Sequence, residues 1–191
     1  SGLDPHINEY SFMIWGLINL YEATYKTLYL SRALKLTEVM IEDFYDENGG
    51  FFIGSKNAEK LIIRAKDYYD GAIPSGNSAA IYSLFKLGKI TGNTAWINIA
   101  HETLKVFSAQ AINNPSGFTC MLTGLLFDLN SCKELIIVID KNKHDFKNIL
   151  KRIKKEYYPN LTIIVKDIND KNLVENIAPW IDSYMVINNK P

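Results

Sequence analysis

The stretch YYDGAIPSGNSAAIYSLFKLGKITGN, Tyr68–Asn93, contains a polar turn followed by an apolar segment. The Asp-Gly pair near its start is a strong turn signal. Pro74 fixes its own φ angle, and Ser75 or Asn77 can cap the first amide groups of a helix. From there to about residue 90, apolar residues fall on nearly all sides, which predicts a helix that is buried on most of its surface.

The same pattern occurs earlier in the chain, 67 positions away. The segment that begins at Asn8 overlays the segment that begins at Ser75, with serine, isoleucine, leucine, threonine and alanine recurring at matching positions. Trp15 aligns with Tyr82. A third start, PSGFTCMLTGLL at Pro115–Leu126, echoes PSGNSAAIYSLF. Each full copy predicts an apolar helix, a short turn and a helix with one apolar face.

Repeated helical hairpins of this kind are typical of an α/α toroid, in which the first helix of each hairpin is an inner helix and the second shows one face to water. A complete toroid of six hairpins has twelve helices. The sequence therefore predicts an open portion of a toroid, or a piece of a longer protein. Its helices are predicted over about 8–25, 28–45, 76–90, 94–111 and 116–129, with a short β hairpin formed by Phe51–Ile53 and Leu61–Ile63.

The pattern changes after residue 133. Glu134–Asp140 and Leu161–Lys166 are short apolar runs of the kind that form buried strands. Apolar residues at helical spacing lie between them, within 144–158, so we predict a strand, a helix and a parallel strand. The predicted fold is mainly α, with a partial α/α toroid in residues 1–131 and a strand–helix–strand unit in 132–191.

Composition excludes several classes of function. Lysine and arginine equal aspartate and glutamate at 21 each in 191 residues, which argues against a nucleic-acid-binding protein with a global basic field. Cys120 and Cys132 form no zinc-type set with histidine, so we predict neither a metal nor another cofactor. The longest apolar run, Phe12–Leu20, is too short to cross a membrane. With no secretory signal at the start, these features predict a cytoplasmic protein.

The turn and helix from Lys66 to Asn93 resemble the C-terminal region of the spermatogenesis-associated, thioredoxin-like family. The pattern of that family is an Arg, a Lys and then Asp-Gly-Ala-x-Pro-Ser-Gly-Asn-Ser. Here it falls on Arg64, Lys66 and Asp70–Ser78. A second family stretch, acid-acid-Tyr-Ala-Phe, is similar to Asn8–Phe12, with Asn8 in place of the first acid.

The resemblance covers almost the whole chain and implies a known architecture. Members of the family have a thioredoxin-like N-terminal domain followed by a toroid similar to that of six-hairpin glycosidases. The resemblance thus implies that this chain is an excised C-terminal part or a naturally truncated member. Its partners would be a thioredoxin-like domain, the missing hairpins, or a second copy that covers the apolar flanks of its inner helices.

The wider toroid superfamily contains glycosidases, unsaturated glucuronyl hydrolases and sugar epimerases, so the resemblance implies a carbohydrate-related module. Three polar helix starts, near residues 8, 75 and 116–119, would converge on one rim of the toroid and bind a hydroxyl-rich ligand. Glu9 and Asp70 would be the paired carboxylates of a glycosidase-type reaction. The predicted ligand-binding residues are Asn8, Tyr10, Arg64, Lys66, Ser75, Asn77 and Ser78.

A structural interpretation stands beside each of these predictions, and the sequence leaves open whether the chain is an enzyme. The turn and caps explain most of the Asp70–Ser78 stretch without a ligand. Arg64 and Lys66 are either surface charges or contacts to an anion such as a uronate. Trp15 and Tyr82 are either core residues or a stacking surface for a sugar. The alternative function is a non-catalytic structural or interaction module. A further cluster of basic residues is interpreted as the solvent-exposed face of a helix. It consists of Lys147, Lys151, Arg152, Lys154 and Lys155.

Overall fold

The computed structural model describes residues 4–58, 63–130, 133–142, 146–153, 155, 158 and 160–186. It is mainly helical, with a two-stranded parallel sheet. The helices and strands are α1 Ile7–Thr24, α2 Thr27–Phe44, α3 Gly76–Thr91, α4 Thr94–Asn113, α5 Thr119–Leu129, β1 Lys133–Ile139, α6 Phe146–Ile153 and β2 Leu161–Asp167. Shorter helical turns span Pro115–Phe118, Leu173–Ile177 and Pro179–Ile181.

Helix α3 is the centre of the helical part. It packs against α1 on one side, against α5 on another and against α4, while α1 packs against α2. Thirteen of the 16 residues of α3 are buried, which confirms the prediction of a helix buried on most sides. The order α1–α3–α5 places the three apolar helices of the sequence repeat side by side.

Capping residues fix where these helices begin and end. Ser75 is the N-cap of α3, and its Oγ accepts a hydrogen bond from the backbone N–H of Ser78. Helix α3 ends at Gly92, whose φ of 74° is left-handed and favours glycine. Asn93 then caps α4 by accepting from the N–H groups of Ala95 and Trp96. The tight connection between α3 and α4 follows from this Gly-Asn pair.

The predicted β hairpin is wrong in its first strand. Within the described residues, Phe51 forms an isolated bridge with Tyr45, and Gly54 forms one with His6. The backbone around Phe51 is instead held by the side chain of Asn77. Most of the predicted second strand lies outside the described residues. A run of apolar residues indicates a buried segment but does not specify its backbone conformation. Here the buried segment is an irregular loop and not a pair of strands.

The strand–helix–strand unit is confirmed by the parallel pairing of β1 with β2, from Lys133↔Leu161 to Ile139↔Asp167. It shares a core with the helices. The backbone N–H of Val165 donates to the hydroxyl of Tyr21 at 3.3 Å, and burial raises the pKa of that phenol. The indole N–H of Trp180 donates to the carbonyl of Ile90 at 3.0 Å.

The basic group of the sequence lies in and after α6. The side chains of Lys151, Arg152 and Lys155 are exposed, as expected for a solvated face, whereas those of Lys147 and Lys154 lie outside the described residues. Across the described part of the chain, we find no helix that is both long and apolar enough to cross a membrane.

Candidate functional site

The starts of α1, α3 and α5 are neighbours in the structure. Gly76, the first residue of α3, lies so close to α1 that a Cβ there would be 2.8 Å from Cγ2 of Ile7 and would collide with Oδ1 of Asn8. The carboxylate of Asp70 joins the start of α3 to the start of α5. Three segments that are far apart in sequence therefore meet at one end of the helical row.

Asp70 makes the connection through both of its carboxylate oxygens. Oδ1 accepts the backbone N–H of Ser75 at 2.9 Å. Oδ2 accepts the backbone N–H groups of Cys120 at 2.8 Å and Met121 at 3.2 Å. The residue is only 8% exposed. A carboxylate at the first turn of α5 satisfies amides that have no partner within the helix and complements the helix dipole.

Asn77 is the second polar residue of this turn, and its side chain is fully buried. Its Oδ1 accepts the N–H of Phe51 at 2.7 Å, and its Nδ2 donates to the carbonyl oxygens of Phe51 at 2.9 Å and Asp67 at 2.6 Å. The amide thus replaces a strand partner for the backbone at Phe51. Ser75 and Ser78 are also buried, and their hydroxyls are 2.9 Å apart.

The predicted site residues of α1 lie at its exposed start. Glu9 accepts the backbone N–H of His6 at 2.6 Å, which forms half of a capping box. Asn8 is half-buried against Gly76. The ring of Tyr10 packs against Phe44, with ring centroids 5.2 Å apart. Of the predicted carboxylate pair, Glu9 is therefore exposed and Asp70 is buried behind helix starts.

Arg64 and Lys66 both lie against the ring of Phe52, and neither lines the groove described below. The guanidinium of Arg64 is 3.9 Å from the centroid of that ring and donates to the carbonyl of Gly54 at 2.8 Å. The ammonium of Lys66 donates to Oδ2 of Asp46 at 2.7 Å, and this hydrogen bond lowers the pKa of Asp46. Lys66 also donates to the carbonyl of Gly49, so it holds the turn at residues 46–50 together.

A groove opens beside the starts of α3 and α5 and against Trp15, in the third turn of α1. It has a volume of about 350 Å³ and takes side chains from α1, the turn before α3, α3 itself and α5. The rings of Trp15 and Tyr82 face each other across α1 and α3, with centroids 5.4 Å apart and an interplanar angle of 52°. The groove is lined by Trp15, Pro74, Tyr82, Thr119, Cys120 and Thr123.

The wall of the groove that α5 forms begins at the predicted third helix start and continues one turn beyond it. Thr119 lies in the predicted third helix start at 116–119, and Thr123 lies one helical turn later on the same face of α5. Cys120 lies on that wall, and burial together with the nearby Asp70 raises the pKa of its thiol to about 11. The signal for Thr123 was its spacing of four from Thr119. Ser116 makes a hydrogen bond to Asn114 instead.

A buried charge pair lies next to the groove. The ammonium of Lys86, a residue that is 5% exposed, pairs with the carboxylate of Glu22 on α1. It also lies 5.5 Å from the ring centroid of Tyr82 and 5.4 Å from that of Phe127. Burial disfavours the ammonium, but the Glu22 carboxylate and the Tyr82 hydroxyl together outweigh it, and the pKa of Lys86 is raised. Lys86 is therefore a charged residue that is paired with Glu22 and packs against the ring of Tyr82.

Among the described residues, no cluster of histidine, cysteine, aspartate and glutamate could hold a metal ion. Cys132, the second cysteine of the chain, lies outside them.

Comparison with known proteins gives relatives over nearly the whole chain. It is 28% identical to spermatogenesis-associated protein 20 of Rattus norvegicus, 29% identical to that of Mus musculus and 28% identical to that of Homo sapiens, in each case over 179 residues, or 93% of this chain. The chain is homologous to spermatogenesis-associated protein 20. It spans 23% of the length of these relatives. No family model matches it.

Proposed function

We propose that the groove binds a hydroxyl-rich ligand of the carbohydrate type. The observation that carries this proposal is the tilted Trp15–Tyr82 pair, which lines the groove together with two exposed threonines, Thr119 and Thr123. Aromatic rings offer flat apolar faces to the C–H face of a sugar. The Thr119 hydroxyl can donate to the sugar and accept from it, and the Thr123 hydroxyl, which donates to the carbonyl of Thr119 at 2.8 Å, can accept. A volume of about 350 Å³ is in the range of small-ligand pockets.

The proposed architecture is a portion of an α/α toroid. The row α1–α3–α5, with α2 packed on α1 and α4 packed on α3, supports this because the inner helices of a toroid lie side by side in the same way. The groove then belongs to the surface that such inner helices share. Binding at this place requires no carboxylate, and the three amides that occupy Asp70 favour a structural role for it over a catalytic one.

A second candidate function is an interaction module, which two apolar flanks favour. Met13 and Leu20 are exposed on α1, and Leu126 and Leu129 are exposed on α5. In each pair the residues are seven or three positions apart, so they share one face of their helix. These are the two ends of the α1–α3–α5 row, where a further helix would find an apolar surface.

The experiment that tests binding is thermal unfolding of the protein with neutral hexoses, N-acetylhexosamines and uronates. A ligand at about a hundred times its Kd raises the free energy of unfolding by roughly 2.7 kcal/mol. We expect one class to raise Tm, and we expect Trp15→Ala to lose the shift. Trp96→Ala on α4 is the matched control, because Trp96 does not line the groove. No shift with any sugar would contradict carbohydrate binding and leave the interaction module.

A further inference from the structure

We propose that the groove selects neutral ligands over anionic ones, and that Asp70 is the residue that sets this preference. The inference rests on the proposed function, since it names the class of hydroxyl-rich ligand that the same groove takes. It goes against the sequence-based alternative of a uronate held by Arg64 and Lys66, both of which lie on the Phe52 face.

The first step is the chemistry of the wall. The lining residues that the structure describes are two aromatic rings, a proline, two threonines and a thiol. The thiol of Cys120 has a pKa of about 11 and so is neutral at pH 7. An anion that leaves water must regain its hydration energy from cations or from several N–H donors. These side chains supply hydroxyl groups and apolar surface instead, which suit a neutral polyol.

The second step concerns the helix starts, which would otherwise attract an anion. A helix start carries roughly half a positive charge on its free N–H groups. The start of α5 forms part of the groove wall at Thr119 and Cys120, and α3 begins just after Pro74. Asp70 binds N–H groups at both places, through Ser75, Cys120 and Met121. One full negative charge thus cancels roughly the charge of two helix starts.

The third step concerns the nearby cations. Lys86 lies against Tyr82, but its ammonium is buried and paired with Glu22. Lys89, also on α3, pairs with Asp128 at 3.3 Å. Each of these cations is matched by a carboxylate, so neither offers a net positive charge to a ligand in the groove. The electrostatic balance of the site is close to neutral, and an anion would bind without compensation.

The test compares ligands of similar size and shape that differ in charge. Glucuronate and galacturonate are titrated against their methyl esters and against glucose and galactose by isothermal calorimetry at pH 7. We expect the esters and neutral sugars to bind at least about tenfold more tightly than the uronates. Thr123→Lys adds a cation to an exposed position of the wall and should reverse that order, whereas Thr123→Gln, a neutral change of similar length, should keep it.

Asp70→Asn tests the residue itself, because it removes the charge and keeps one acceptor oxygen. We expect it to raise the affinity for the uronates relative to the esters by about tenfold, measured where circular dichroism shows the variant to be folded. Uronates that bind as tightly as their esters would overturn the inference and leave carbohydrate binding standing. Binding of no sugar, neutral or anionic, would overturn the proposed function and the inference with it.

Discussion

Asp70 and Cys120 are 50 positions apart in the chain, and a hydrogen bond of 2.8 Å joins the carboxylate of the first to the backbone N–H of the second. This bond ties the turn before α3 to the first residues of α5. It also places a negative charge directly behind one wall of the groove. The polar turn that opens α3 is therefore the joint that holds the helix starts together, as well as the cap of a single helix.

We expect Asp70→Ala to be among the most destabilising changes in the helical part. It leaves three N–H groups, two of them buried, without their charged acceptor, and we expect a loss of about 3 kcal/mol in the free energy of unfolding. Urea denaturation measures it. Asp67→Ala is the control, since the Asp67 carboxylate accepts one N–H, that of Tyr69 at 3.3 Å. Equal losses in the two variants would contradict the role of Asp70.

Substitutions of Asn77 test the orientation of its side-chain amide. Its Nδ2 faces the carbonyl oxygens of Phe51 and Asp67. Asn77→Asp would put a carboxylate oxygen against both, so we expect it to be more destabilising than Asn77→Ala, which itself should cost about 2 kcal/mol. Thermal unfolding at pH 7 compares the two. An aspartate variant more stable than the alanine variant would show that the amide is not held as described.

Lys66 gives a prediction for acid pH. Its hydrogen bond lowers the pKa of Asp46 in the folded state. A lowered folded pKa stabilises the protein above the unfolded pKa of about 4, and this stabilisation is lost as the pH falls through the folded pKa. We expect Lys66→Met to reduce the decrease in the free energy of unfolding as the pH falls below about 4. Lys56→Met, which removes the pairs with Glu42 at 3.2 Å and Asp43 at 3.8 Å, is the control and should change it less. A reduction in neither variant would contradict the assignment.

The pair Glu22–Lys86 should behave as a buried unit. Glu22→Gln leaves the Lys86 ammonium buried without its carboxylate, and such single removals cost about 3 kcal/mol or more. Because Glu22 keeps 30% of its side chain exposed, the loss should fall at the low end. We expect the double variant Glu22→Gln/Lys86→Met to be more stable than Glu22→Gln alone in urea unfolding. Strictly additive losses would show that the two residues are not coupled.

The apolar flanks predict self-association. We expect scattering to show an average mass that rises with protein concentration, and we expect Leu126→Lys together with Met13→Lys to abolish the rise. Ile112→Lys, on α4 and more exposed than either of these residues, is the control. A monodisperse monomer at all concentrations would contradict this prediction and leave the flanks for another partner.

The sequence predicted the helices well because their signals are local. Apolar periodicity and the cap residues set α1 to α5 to within two or three residues at each end. The strand pair β1–β2 was equally visible as two apolar runs separated by a helix. The loop at Phe51 was missed because its backbone is satisfied by the side chain of Asn77, 26 positions later. No local pattern carries that information.

The predicted site residues stay a prediction, and none of them lines the groove. The helix starts do meet, but Ser75, Asn77 and Asp70 turn their polar atoms toward one another and toward backbone groups. The groove wall is formed in part by Trp15 and Tyr82, which the sequence left open as core residues or a stacking surface. Their exposure depends on how α1, α3 and α5 pack, and helical spacing alone leaves that open.

The most direct test of the central claim is calorimetric titration of the protein and of Trp15→Leu with neutral saccharides. Binding lost in Trp15→Leu, with Tm of the free variant close to that of the parent, is the result predicted for a carbohydrate groove between α1, α3 and α5. Saccharide binding that is unchanged in Trp15→Leu, or absent from the parent protein, would contradict it.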